Sequence, residues 1–153
     1  RIPFSINAKE KITITEFLVP TQGTYLQDIT GGSDGNVWFT EGAANKIGRI
    51  TPEGIITEFI LPDSSYSYGI TSGPDGNIWF TETWRNKIGR ITPEGAITEF
   101  TVPTANSVLT EITNGYDGNI WFLEAGAKKI GRITPEGIVT EFPLSADTNS
   151  PEI

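Results

Sequence analysis

A fifteen-residue segment, Asn-Lys-Ile-Gly-Arg-Ile-Thr-Pro-Glu-Gly-Ala-Ile-Thr-Glu-Phe at 86–100, recurs with few changes at 45–59 and 128–142, and this recurrence limits what the chain can fold into. In each copy two short β-branched runs flank Thr-Pro-Glu-Gly, where proline presets φ for a turn and glycine accepts the positive φ that follows. Each copy therefore predicts a β-hairpin. Trp38 and Phe39, Trp79 and Phe80, and Trp121 and Phe122 keep one register, as do the Asp-Gly-Asn turns that begin at Asp34, Asp75 and Asp117. The unit repeats after 41 and then 42 residues. Four short strands in a period of roughly 40–50 residues is the pattern of a β-propeller blade.

In the best-formed unit the first strand is expected at 69–73, a turn at 74–77, and further strands at 78–82, 87–92 and 96–102. The chain thus reads as an all-β propeller of four-stranded antiparallel blades, about three and a half of them. Residues 1–19 are expected to be a half blade, the last hairpin of a blade, and 20–62, 63–103 and 104–144 the three full blades. The tail at 145–153 leads into a next blade. Propellers close as rings of about four to eight blades, and each blade buries its faces only against neighbours. Two copies would supply six full blades and two halves, so the chain is expected to be half of a seven-bladed ring. Its expected partner is itself, as a homodimer that closes the ring, or the rest of a longer chain. The first residue, Arg1, points to a processed or excised chain.

Composition narrows the ligand. Eleven basic against nineteen acidic side chains give a net charge of −8, which excludes nucleic acid or an anionic membrane as the main partner and leaves a small molecule or a protein. No apolar run approaches the roughly 20 residues of a spanning helix. There is no cysteine, so the compartment stays undetermined, and no histidine, which removes the commonest general base near neutral pH.

Strand direction places the loops. The two repeated turns share one end of each blade, so the loops at 41–45, 82–86 and 124–128 lie at the other, with the connections at 21–27, 63–68 and 104–110. These differ between units, and a repeat array places its specificity in such variation. The candidate ligand-binding residues on this rim are Gln27, Tyr66, Tyr68, Trp84, Arg85 and Thr110. Trp84 and Arg85 stand where the other units carry Ala43 with Ala44 and Gly126 with Ala127, and the pair suits stacking on a cyclic ligand or packing across an interface. Glu41, Glu82 and Glu124 end the Trp-Phe strand in each unit; they are weak candidates for a hard cation and fit equally a structural acceptor role. Glu16, Glu58, Glu99 and Glu141 are expected to face solvent or the Arg49, Arg90 and Arg132 series. No Ser-His-Asp set, phosphate loop or zinc motif is visible, and no cofactor is evident.

The run Gly-Ile-Thr-Ser-Gly-Pro-Asp-Gly-Asn-Ile-Trp-Phe-Thr-Glu at 69–82, followed by Asn-Lys-Ile-Gly-Arg-Ile-Thr at 86–92 and Ile-Thr-Glu-Phe at 97–100, closely resembles the blade of the virginiamycin B lyases. The resemblance covers nearly the whole chain. It implies a seven-bladed propeller and a lyase that opens a cyclic depsipeptide antibiotic by elimination at its ester, with Mg²⁺ and a histidine general base. It also implies where those groups would sit. The histidine place is held by Gln27, Tyr68 and Thr110, and most nearly by Glu152 in the tail. The two metal-carboxylate places are held by Tyr25, Tyr66 and Val108 and by Gly42, Thr83 and Ala125. None of the three groups is present at these places.

Two functions follow as expectations. One is a non-catalytic or scaffold propeller half that self-associates and binds a small molecule or protein at the variable rim. The alternative is a portion of a virginiamycin B lyase-like enzyme whose catalytic blades lie outside the chain, with Mg²⁺ as its cofactor. A sugar-lactone hydrolase of another propeller family is a third reading, without a visible counterpart of its metal-site residues.

Overall fold

A computed structural model describes residues 12–144 of the protein. Among these residues twelve strands form three four-stranded antiparallel sheets, each with its strands in chain order. The first blade contains β1 (Leu26–Gly31), β2 (Val37–Glu41), β3 (Lys46–Ile50) and β4 (Ile56–Ile60). The second contains β5 (Ser67–Ser72), β6 (Ile78–Glu82), β7 (Lys87–Ile91) and β8 (Ile97–Thr101). The third contains β9 (Leu109–Asn114), β10 (Ile120–Glu124), β11 (Lys129–Ile133) and β12 (Val139–Pro143). The chain is an all-β propeller, with the turns where the repeat puts them. In the first turn of the middle blade, Gly76 takes φ +81° while Asp75 accepts hydrogen bonds from the Asn77 amide at 3.2 Å and from the Trp79 indole at 3.0 Å.

Alternation along the strands gives each blade two faces. One carries Trp38, Thr40, Ile47, Arg49 and Phe59 in the first blade, the other Phe39, Glu41, Lys46, Gly48 and Glu58. The core lies between blades. Trp38 and Ile47 of the first blade bury against Ile70, Ile78, Phe80 and Ile91 of the second. Trp79 and Ile88 of the second bury in the same way against Ile112, Ile120, Phe122 and Ile133 of the third. On each tryptophan face the ring stacks on the outer-strand phenylalanine, at 5.5 Å for Trp38 with Phe59 and 5.6 Å for Trp79 with Phe100. The arginine of the third strand lies over both rings and reaches into the next blade. Arg49 donates to the Pro93 carbonyl at 2.7 Å, and Arg90 to that of Pro135 at 2.8 Å.

The outer-strand glutamates differ from expectation. Glu58, Glu99 and Glu141 meet lysines rather than arginines: Lys46 with Glu58 at 2.6 Å, Lys87 with Glu99 at 2.7 Å and Lys129 with Glu141 at 3.1 Å. Register is the reason. Glu58 stands opposite Gly48, one residue from Arg49, and so on the other face of the sheet, where Lys46 also points. Glu16 is exposed.

Hydrogen bonds between inner strands complete the stacking of blades. Thr40 Oγ1 donates to the Tyr68 carbonyl at 2.8 Å, Thr81 Oγ1 to that of Thr110 at 2.8 Å, and the Ile70 amide to Asp28 at 2.9 Å. Of the half blade expected over 1–19, residues 1–11 lie outside the described residues, as does the tail at 145–153. Residues 12–19 form no strand, yet the Phe17 ring covers Gly54 as Phe59 covers Gly95 and Phe100 covers Gly137. The segment therefore runs beside the first blade where a preceding outer strand would run.

One close approach repeats in all three sheets: the ring tips of Phe39, Phe80 and Phe122 lie against Gly48, Gly89 and Gly131 of the neighbouring strand, in space a Cβ would fill. Phe80 is fully buried and cannot move aside. Gly89→Ala is expected to destabilise the protein by about 1–3 kcal/mol through overpacking, whereas Gly31→Ala, in open space, should change stability by less than about 0.5 kcal/mol. Denaturant midpoints for the two variants check the contrast.

Candidate functional site

The rim expected to hold a ligand is built from the β2–β3, β6–β7 and β10–β11 loops together with the connections that enter β1, β5 and β9. Asn45 and Asn86 end two of these loops in the left-handed region, at φ 58° and 55°, a conformation that asparagine tolerates better than most residues. Their side chains then tie down the incoming connection. Asn86 donates to the Val102 and Thr104 carbonyls and accepts from the Ser107 amide at 3.0 Å; Asn45 accepts from the Ser65 amide at 2.8 Å. The rim is thus rigid at its base and variable above it.

Three of the six expected residues gather between the first and second blades. The Gln27 amide donates to the Tyr66 hydroxyl at 2.5 Å, and the Tyr66 ring lies against Gly42 and packs on the Trp84 indole at 5.1 Å. Arg85 turns away and donates from Nε to the Ser64 carbonyl at 2.9 Å. Trp84 stays 74% exposed, a large apolar surface that the fold itself does not use. Tyr68 and Thr110 do not join this group. They sit on the inner strands β5 and β9, half-buried, and their carbonyls accept the inter-blade hydrogen bonds from Thr40 and Thr81.

Glu41, Glu82 and Glu124 are fully buried, each within its own blade. Among the described residues no group of three or more His, Cys, Asp or Glu side chains could hold a metal ion. Each glutamate instead faces the outer-strand ion pair. Burial, with the Glu58 carboxylate adding to it and Lys46 opposing it, pushes the Glu41 carboxyl up to about 7. Burial likewise raises Glu82 to about 7, against the pull of Ser65 and Lys87 and with the repulsion of Glu99. Glu124 is raised by burial too, while the Ser107 hydroxyl donates to it at 2.7 Å and Glu141 repels it. In the first and third blades the outer-strand carboxylate is shifted the other way. Burial works against the Glu58 carboxylate, but hydrogen bonds from Lys46 and Thr21 hold it below its ordinary range. In the first blade a raised carboxyl, Glu41, thus stands beside a lowered one, Glu58, and in the third Glu124 stands in the same way beside Glu141.

Residues 6–152 match the Virginiamycin B lyase family. The chain belongs to that family. A virginiamycin B lyase of Bordetella parapertussis is 38% identical over 52 residues, 34% of this chain and 17% of that protein. The crystal structure of virginiamycin B lyase from Staphylococcus aureus is 48% identical, with a TM-score of 0.85 over 88% of this chain and 46% of that one. A catalytically inactive variant of the Staphylococcus aureus enzyme, with quinupristin, is 47% identical with a TM-score of 0.86, over 90% of this chain and 47% of that one. The chain spans about half the length of these lyase structures. A gluconolactonase from Xanthomonas campestris, 14% identical with a TM-score of 0.64, shares the fold alone.

The places that resemblance to the virginiamycin B lyases assigns to metal carboxylates do not fit Mg²⁺ here. Tyr25, Tyr66 and Val108, and Gly42, Thr83 and Ala125, offer no carboxylate, and the Tyr66 ring packs against Gly42.

Sequence reasoning missed Ser107, which donates to Glu124, Ser65, which lies near the buried Glu82, and the left-handed conformation of Asn106 and Val108 at φ 56° and 52°. The recurrence of a hydroxyl at 24, 65 and 107 was the available signal.

A carboxyl raised in the folded state keeps its proton while the unfolded chain loses it, so stability is full below the ordinary value of 4.5 and falls as pH rises toward about 7. The loss is at most about 1.4 kcal/mol per pH unit for each such group. Tm is expected to be lower at pH 8 than at pH 5. Glu82→Gln, which keeps the shape and a donor, should flatten this dependence; thermal melts of both proteins across that range check it.

Proposed function

We propose that the chain is a non-catalytic propeller half that closes a seven-bladed ring with a second copy of itself and presents its variable rim to a small-molecule or protein ligand. One observation carries the proposal: the third blade has the same tryptophan face as the other two, and no described residue covers it. Trp38 and Trp79 are fully buried, whereas Trp121 is only half-buried beside Leu123, Ile130 and Phe142. An open cavity of about 420 Å³ lies on this face, lined by Trp121, Leu123 and Ile130 among others. At the other end, Ile29 is 65% exposed where its counterpart Ile70 is 3% exposed. Arg132 lies over Trp121 and Phe142 as Arg49 and Arg90 lie over their ring pairs. A blade of the same kind is the natural complement of each open face, and a second copy supplies it. A ring made of two such chains contains no histidine, so the general base of the family is missing from it.

A second reading is favoured by the extent of the match. The 46% of the Staphylococcus aureus lyase that the chain covers leaves room for further blades in one longer polypeptide. Those blades would then bring the base and the metal carboxylates of a Mg²⁺-dependent elimination, and this half would serve as frame.

Light scattering at two well-separated concentrations tests the proposal. The expected result is a mass near twice 16.7 kDa at both. Leu123→Glu, at a position 42% exposed and outside the inter-blade cores, is expected to give the monomer mass with unchanged strand content by circular dichroism. A monomeric wild-type chain would favour the second reading.

A further inference from the structure

Residues 12–21 lie on the first blade as an outer strand and its connection lie on the blade that follows them. At the junction of the second and third blades, Phe100 of β8 covers Gly137. Thr104 then donates from its amide and hydroxyl to Glu141, at 2.9 Å each, and accepts from Lys129 at 2.6 Å. Phe17 covers Gly54 in the same way. Thr21 donates from its amide and hydroxyl to Glu58, at 3.0 and 2.8 Å, and accepts from Lys46 at 2.6 Å. The segment holds the seat of an outer strand, yet among the described residues it pairs with no strand and Phe17 stacks on no tryptophan.

The third blade of a second copy, laid before the first blade, would bring its own outer strand β12 to that seat. Its Phe142 would have to cover Gly54, where Phe17 already lies. Only one of the two strands fits, and three observations favour the segment. Thr15, Glu16 and Phe17 repeat Thr140, Glu141 and Phe142, so the segment can take the register that β12 holds against β11. Where Thr21, Asp63 and Thr104 each bring a polar side chain to the lysine of the next blade, the sequence after β12 has Ala146, which has none to bring. Asn45 and Asn86 each accept an amide of the connection leaving their blade, and their counterpart in the third blade is Lys128, whose side chain accepts nothing.

We propose that two copies exchange strands at their junction: residues 12–20 of one copy complete the third blade of the other, paired with its β11 in place of β12. Like replaces like, so the exchange itself costs little. Phe17 then stacks on the partner's Trp121 under the partner's Arg132, as Phe59 stacks on Trp38 under Arg49. Arg49 and Arg90 donate to the Pro93 and Pro135 carbonyls of the next blade, and the partner's Arg132 meets the matching carbonyl of Pro52. The inference rests on the reading that a second copy covers the open faces; it concerns the junction between copies and not the number of blades.

Mirrored proline variants of the 153-residue chain test the exchange, because proline cannot donate to a strand ladder. Thr15→Pro leaves the strand pairing of the described residues untouched and is expected to weaken dimerisation at least about tenfold, read by light scattering over a dilution series. Thr140→Pro weakens β12 instead and should leave the dimer as tight or tighter. A disulfide gives a second measurement. Leu18→Cys with Lys129→Cys, in a chain that has no cysteine of its own, puts one thiol where Pro143 now faces the other. Within one copy these positions belong to the first and third blades, so the 18–129 disulfide, identified by peptide mapping after mild oxidation, should link two copies. A dimer that Thr140→Pro weakens as much as Thr15→Pro does, or that Thr15→Pro leaves unchanged, or that forms no 18–129 disulfide, overturns the exchange and leaves closure by a second copy standing. A wild-type chain that is monomeric at every concentration overturns both.

Discussion

The structure depends on one contact: the tryptophan face of each blade against the isoleucine and phenylalanine face of the next. A four-stranded sheet of this length has no interior of its own, so every fully buried large side chain here is buried by a neighbouring blade. Full burial of one such side chain contributes about 1.5–3 kcal/mol. The middle blade is closed on both sides, and its Trp79, Phe80, Ile78 and Ile88 are all essentially inaccessible. Among the described residues the outer blades each keep one open face. Stability of the array is therefore a property of interfaces, and an end without a partner gives up what an interior blade gains.

Much of this was legible in the sequence because the repeat writes the same local chemistry three times. Asp75 with Gly76, and Pro93 with Gly95, specify their turns by backbone preference alone, and once the turns are set the pairing of Trp79 with Arg90 and Thr98 follows. The lysine partners of Glu58, Glu99 and Glu141 were hidden for a different reason. Face assignment turns on a single residue of register, and Arg49 stands one place from the residue opposite Glu58. At the rim the sequence singled out Trp84 because nothing else in the repeat resembles it. It could not show that Tyr66 leans back over Gly42 and packs on Trp84.

The buried glutamates illustrate how a repeated residue can look functional while serving the frame. Glu41, Glu82 and Glu124 sit where a strand meets the variable loop, the usual position for a ligand-binding carboxylate. Each is nevertheless enclosed within its own blade beside the outer-strand ion pair, and Ser107 donates to Glu124. Repetition in every blade is itself informative. A ligand breaks the symmetry of a ring, so the groups that meet it are found among the residues that differ.

The third blade differs in a way that bears on its open face. Thr40 and Thr81 are fully buried and each donates a hydrogen bond to the next blade, but the same place in the third blade is Leu123, which has no donor. A net hydrogen bond contributes about 0.5–1.5 kcal/mol. Completing the burial of a leucine that is 42% exposed recovers roughly 0.6–1.3 kcal/mol of the 1.5–3 kcal/mol for the whole side chain. The two are equal within their scatter, so a blade laid on this face would meet an apolar contact in place of a directional one at no net loss. An interior junction of this chain joins blades already held in register by a short connection. A junction to a separate chain has no such tether, and an apolar contact that tolerates small displacements suits it better than one that requires a carbonyl at 2.8 Å.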